Sequence, residues 1–193
     1  MLNAMFRRDQ NSTTLYYPHK SNWDDLRFAS AALRIPGSGT PPTRDDEDGA
    51  LLFDPTKDSV VSGLAQIPHD WWKGRAMKPH VHYECMGDPG VLPAGNMVGK
   101  LEYQVADVNG SFSGTWDTSD VTIPLDGVLL KHNIFGDPRA LPLQSYSLSA
   151  IIKFRIWRMG TDELDTYTGD WKLLEFDLHY ERDKVGSGQE YSI

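Results

Sequence analysis

The chain has a single cysteine, Cys85, among its 193 residues. A disulfide within the chain is therefore impossible, and a cysteine-based zinc cluster is excluded. Cys85 falls on the apolar side of an alternating segment, so it reads as a buried, inert thiol. Long hydrophobic runs are missing too. None approaches the ~18 residues of a membrane span, and the first twenty residues carry charges but no apolar core of a secretion signal. Basic residues are outnumbered, with 19 Lys and Arg against 27 Asp and Glu, a formal charge of −8. Nucleic-acid binding needs a basic footprint, so neither nucleic acid nor membrane is an expected partner. An acidic surface suits solubility, or docking onto a basic protein. Helical periodicity sustained over three turns is absent, as is any internal repeat. So are the nucleophile elbow, the dinucleotide fingerprint and the phosphate-binding loop.

What the chain does have is aromatic residues, at 11% with six Trp and eight Tyr, and short alternating runs broken by turn residues. Large aromatics fill sandwich cores and contact surfaces. The runs are Leu51–Phe53, Val60–Ile67 with Gly63 as a candidate bulge, His80–Met86, and Met97–Val108. In the last of these Leu101, Tyr103 and Val105 face one way and Lys100, Glu102 and Gln104 the other. Asn109-Gly110 signals a turn, with Phe112–Trp116 as the returning strand of a hairpin. Val121–Leu130 is a weaker strand, interrupted by Pro124. Two strong strands come late. One buries Leu148, Ala150, Ile152, Phe154 and Ile156 and turns Lys153, Arg155 and Arg158 outward. The other buries Leu174, Phe176, Leu178 and Tyr180 and exposes Glu175, Asp177 and His179. The basic face of the first and the acidic face of the second suggest pairing across one sheet. The acidic stretch within 36–49 lacks the spacing of a calcium loop and reads as a solvated loop. Seven to nine strands with such turns predict an all-β fold: an antiparallel β-sandwich of jelly-roll type. Residues 1–22 form an extended N-terminal arm, 23–183 the sandwich and 184–193 a C-terminal tail.

The densest segment runs from Gln66 to Glu84, QIPHDWWKGRAMKPHVHYE. His80, His82 and Glu84 alternate with Val81, Tyr83 and Cys85, placing both histidines on one face of one strand. A cupin-like metalloenzyme would draw ligands from His80, His82, Glu84 and the distant His179. The glycines and prolines of a cupin loop are missing around the pair, so a polar surface or subunit-contact face is the preferred reading. No catalytic residue, metal or cofactor is expected. Trp71, Trp72, Tyr83 and Trp116 could make a sugar platform or plug the end of a sandwich. Contact anchors, if present, are Leu15, Tyr16 and Tyr17 in the arm and Trp71 and Trp72 in the turn.

The order of the short motifs resembles a family of structural proteins of tailed-bacteriophage particles. The match runs through Trp23–Arg27 (WDDLR) and Gly49–Asp54 (GALLFD), then Pro68, His69, Trp71 or Trp72, and Gly74. It continues through Pro79, His80, His82 and Tyr83, then Leu101–Tyr103 and Ala106–Phe112, and ends with Leu173–Tyr180 and Gly186–Tyr191. The doubled tryptophan and the long arm depart from the pattern. The resemblance implies a non-enzymatic particle component assembled in the host cytoplasm. The preferred role is a decoration or cement protein on the outside of the head, a homodimer or homotrimer bound to the major capsid protein, where many weak contacts sum by multivalency. A tail or fibre-base adaptor that binds receptor sugar is the alternative.

Overall fold

The computed structural model describes residues 22–37, 40–87, 95–125, 129–136 and 139–183. The contact candidates Leu15, Tyr16 and Tyr17 and the C-terminal tail lie outside these residues. Ten strands follow in order: β1 (Asn22–Ala29), β2 (Thr43–Arg44), β3 (Leu51–Phe53), β4 (Asp58–Gln66), β5 (Lys78–Cys85), β6 (Asn96–Ala106), β7 (Asp117–Pro124), β8 (Asn133–Gly136), β9 (Ile151–Met159) and β10 (Trp171–Arg182). A 3₁₀ turn at Ser30–Ala32 follows β1.

The strands form two antiparallel sheets. In the first, β10 is flanked by β5 and then β8 on one side. On the other side it pairs with β1 along its second half and with β3, followed by β2, at its start. The second sheet runs β4-β9-β6-β7. With the short β2 and β3 set aside, the eight remaining strands are ordered first-eighth-third-sixth in one sheet and second-seventh-fourth-fifth in the other. That is the jelly-roll order of two interlocked Greek keys.

Alternation builds the core. Val61 and Ala65 of β4, Ile152, Phe154 and Ile156 of β9, and Met97, Leu101 and Val105 of β6 point inward from the second sheet, all buried. They meet Leu51, Phe53, Tyr83, Cys85, Trp171, Leu173, Phe176, Leu178 and Tyr180 of the first. Phe154 crosses the interior to Phe28 and Phe176, with ring centroids 5.0 and 4.8 Å away. Each such pair adds ~0.5–1.5 kcal/mol beyond burial. Gly63 is what lets the ring through, since a Cβ there would lie 2.3 Å from Phe154 Cζ. It is not a bulge, for β4 and β9 stay in continuous register from Asp58 to Gln66. The bulge is in β10, where the register with β5 slips between Leu173 and Glu175. As a result Leu173 is fully buried while Leu174, the expected core residue, is only partly covered.

Three other expectations change. The hairpin after β6 does turn at Asp107–Gly110, with the Gly110 amide donating to the Asp107 carbonyl at 2.8 Å and Asn109 at φ 65°. Its returning strand, however, is β7. Residues 112–116 instead fold over the outer face of the second sheet, where Gln104 donates to the Ser113 and Thr115 carbonyls. Lys153 and Arg155 cap the rings of Phe112 and Trp116 at 3.7 and 3.9 Å. The strands β9 and β10 lie in opposite sheets, so their basic and acidic faces never meet. Arg155 pairs instead with Glu102 of β6 at 2.7 Å. Finally, Arg158 does not face solvent. Its position in the alternation is that of Ile156, and it is fully buried.

Candidate functional site

The outer face of the first sheet collects polar residues from three distant stretches of sequence. Register sets them in rows. Asp177 of β10 lies between Arg27 of β1 and His80 of β5, and His179 lies between Asp25 and Lys78. Glu175 stands beside His82. Alternation beyond the bulge turns Glu175, Asp177 and His179 outward together, while the bulge itself lets Leu173 point inward before them.

Asp177 is the hub. Its side chain is only 5% exposed. Its Oδ2 accepts from His82 Nε2 at 3.0 Å, and His82 Nδ1 in turn meets His132 Nε2 at 2.7 Å. Its Oδ1 faces His80 Nδ1 at 3.2 Å without receiving an aligned hydrogen bond. Burial pushes the Asp177 carboxyl above the usual range, and the negative charge of Asp25 adds to the rise; His80 and His82 oppose it. Gly136 on β8 leaves room for His80, whose Cδ2 would lie 2.8 Å from a Cβ at that position.

Beside the hub, His179 Nδ1 contacts Asp25 Oδ1. The His179 ring is held flat against Trp23, with centroids 4.6 Å apart and 6° between planes, and Lys78 Nζ lies 4.8 Å over the other ring of that stack. Arg27 grips Glu175 through two hydrogen bonds of 2.5 and 2.9 Å. Two histidines, His80 and His82, thus contact the buried Asp177 carboxylate, with His132 behind His82 and His179 on Asp25 beside them. One ligand atom each from Asp25, His80 and His179 lie within 4.8 Å of one another, close enough to hold a metal ion.

The sequence candidates divide. His80 and His179 stand near each other on the outer face of the first sheet, with ring centroids 5.3 Å apart. His82 joins the cluster through Asp177. Glu84 leaves it and faces Lys172 at 3.8 Å. Lys172 is also held by Asp48 and Asp45 at 2.7 and 3.3 Å, so two acids of the expected solvated loop grip a buried ammonium group. Asp25, Asp177 and His132 were not singled out from sequence. The first two carried a signal in the outward parity of their strands, whereas His132 sits outside any periodic run. Trp71 is fully buried and Tyr83 nearly so, which removes both from any surface platform or contact. Trp71 plugs the core, while Trp72 is half-buried with the Arg75 guanidinium 4.6 Å over its ring.

The second sheet presents a different outer surface. A groove of about 660 Å³ runs beside β4 and β9, lined by Arg34, Leu64, Trp116, Lys153, Arg155 and Trp157 among others. Leu64 is 60% exposed there.

No helix among the described residues is long and apolar enough to cross a membrane. No family model and no curated protein matches the chain. Solved structures similar to it include tripeptidyl peptidase 2, at 11% identity and a TM-score of 0.40, over 91% of this chain and 10% of that one. The enzymatically active domain of tailspike protein 4 from bacteriophage CBA120 matches at 10% identity and a TM-score of 0.37, over 83% and 19%. The non-crystalline-cellulose-specific carbohydrate-binding module CBM28 matches at 14% identity and 0.36, over 79% and 86%. The chain thus spans a small part of the first two.

Proposed function

We propose that this chain is a non-enzymatic structural component of a tailed-bacteriophage particle, a decoration or cement protein on the outside of the head. The observation that carries the reading is convergence. The motifs that give the chain its resemblance to phage particle proteins are spread from Trp23 to Tyr191, yet WDDLR, PHVH and LLEFDLHY lie in β1, β5 and β10. Asp25, Arg27, His80, His82, Glu175, Asp177 and His179 stand on one outer sheet face. A pattern distributed in this way describes a surface. A jelly roll with a charged outer face fits a part that is added in many copies to a lattice of major capsid protein, as a dimer or trimer. Weak contacts repeated over such a lattice sum to firm attachment.

Quantitative mass spectrometry of purified particles tests this. A copy number that is a simple fraction of the major capsid protein is the expected result. Absence from particles sinks the proposal. A handful of copies moves the chain to the tail or fibre base. That second reading is favoured by the aromatic and cationic groove on the second sheet, since Trp116 and Trp157 beside Arg155 suit stacking against a sugar ring.

A further inference from the structure

We propose that Asp25, His80, Asp177 and His179 form a binding site for one divalent transition-metal ion of the zinc class, which staples β1 to β10 and β5. The proposal stands on geometry and does not depend on a role in the particle. Two imidazoles and two carboxylates form the mixed nitrogen and oxygen donor set that zinc accepts. One donor atom each of Asp25, His80 and His179 already lie within 4.8 Å of one another.

Asp177 supplies the second, independent observation. Its carboxylate is 5% exposed, yet Oδ1 has no hydrogen bond. A buried carboxylate oxygen without a donor is costly, of order 1–3 kcal/mol. That oxygen is 3.2 Å from His80 Nδ1. Two lone pairs cannot face each other at such a distance unless a proton or a cation lies between them. A tetrahedral ion with bonds of about 2.0–2.1 Å separates its ligand atoms by about 3.3 Å, close to the spacing found.

The surroundings are those of ligands already oriented. His82 occupies Asp177 Oδ2 and leaves Oδ1 facing His80 Nδ1, and His132 backs His82. Trp23 lies flat on His179 and fixes its ring with Nδ1 toward Asp25. Such outer partners hold ligand rings and carboxylates in place in metal sites. Three ligand atoms, from Asp25, His80 and His179, stand together, and Asp177 Oδ1, 3.2 Å from His80 Nδ1, is the fourth donor the ion would recruit; four protein ligands would make the site structural and not catalytic. Its purpose follows from topology: among the described residues β1 is bonded to the sheet through β10 alone, and the ion would tie that strand across β10 to β5.

The test uses the full chain, stripped with chelator and titrated with Zn²⁺ by calorimetry at a pH where imidazoles are deprotonated. One equivalent is expected to bind and to raise the melting temperature, because the ion favours the folded state. Asp25→Asn and His80→Ala should each weaken binding at least about tenfold, while His132→Ala, which removes only the outer partner of His82, retains one-to-one binding. Asp25 is partly exposed, so Asp25→Asn keeps the fold, checked by circular dichroism, even if His80→Ala does not. Co²⁺ in place of Zn²⁺ should give the intense visible bands of a four-coordinate site. Three results overturn the proposal: absence of stoichiometric binding, binding lost in His132→Ala but retained in Asp25→Asn, or a pale six-coordinate Co²⁺ spectrum.

Discussion

Replacing Arg158 by methionine tests the reading of the core most severely. The guanidinium is fully buried and meets Asp165 at both ends of its fork, Nε to Oδ2 at 3.1 Å and Nη2 to Oδ1 at 2.8 Å, with both side chains 0% exposed. Its remaining hydrogens go to backbone carbonyls: Nη1 to Phe53 and Gly169 at 3.0 and 2.7 Å, and Nη2 to Tyr167 at 2.6 Å. One side chain on β9 of the second sheet thereby holds β3 of the first and the loop that leads into β10. Methionine fits the volume, but leaves a buried carboxylate without its counter-charge and takes one donor away from each of three carbonyls. Removing one partner of a buried ion pair costs ~3–5 kcal/mol. At about 2–4 °C per kcal/mol for a chain of this size, the melting temperature should fall by about 6–20 °C. Thermal unfolding followed by circular dichroism, with urea titration in parallel, reads this out. The Arg158→Met, Asp165→Asn double mutant should lose less than the two singles summed, by ~0.5–3 kcal/mol. A loss of under about 1 kcal/mol in Arg158→Met, or strict additivity in the double mutant, would refute the network as described.

Three further outcomes follow from the same structure. The Lys172 ammonium holds the Asp48 carboxyl below its ordinary value of 3.8, and a backbone amide from Glu47 together with Lys172 does the same for Asp45. Because these groups are lowered on folding, their contribution is present above about pH 4 and is lost as pH falls below it; melting temperatures of Lys172→Met should therefore decline less steeply between neutral and acid pH than those of the parent. Gly63→Ala forces a methyl group onto the Phe154 ring and should cost ~1–3 kcal/mol in urea unfolding, whereas Gly37→Ala, with open space around the position, should change nothing. Cys85, 2% exposed on β5, should stay unreactive to a thiol reagent until the protein is denatured, and rapid labelling of the native chain would contradict its place in the core.

Strand parity made the inner faces of β5, β6 and β9 legible, because one side of each is buried and period 2 is then strict. Arg158 was misplaced by the expectation that a charge faces water. Parity alone put it beside Ile156, and parity was right. In β10 the alternation of Leu174 with Phe176 looked unbroken, but a bulge is invisible when both candidate residues are leucine. The short β8 offered too few residues for periodicity to register. At the site, the outward direction of His80, His82 and His179 could be read from their own strands. That Asp177 would stand between His80 and Arg27 could not, since it depends on which strands are neighbours, and neighbourhood in a jelly roll joins residues some 100 positions apart. Glu84 was lost to the cluster for the same reason: Lys172 lies across from it on β10.

The pairing of β1 with β10 has a mechanical side. Asn22 is opposite Arg182, so chain attached before the one and after the other departs from a single corner of the sheet. A tension drawn between those two points does not shear the sheet. It opens β1 from β10 like a zip, loading one rung at a time. The first resistance it meets is Arg182, whose guanidinium holds Asp24 of β1 at 2.8 Å and Asp70 of the tryptophan turn at 2.5 Å. If partners tug on both ends, the fold yields there first and at low force, with the rest of the sandwich still intact.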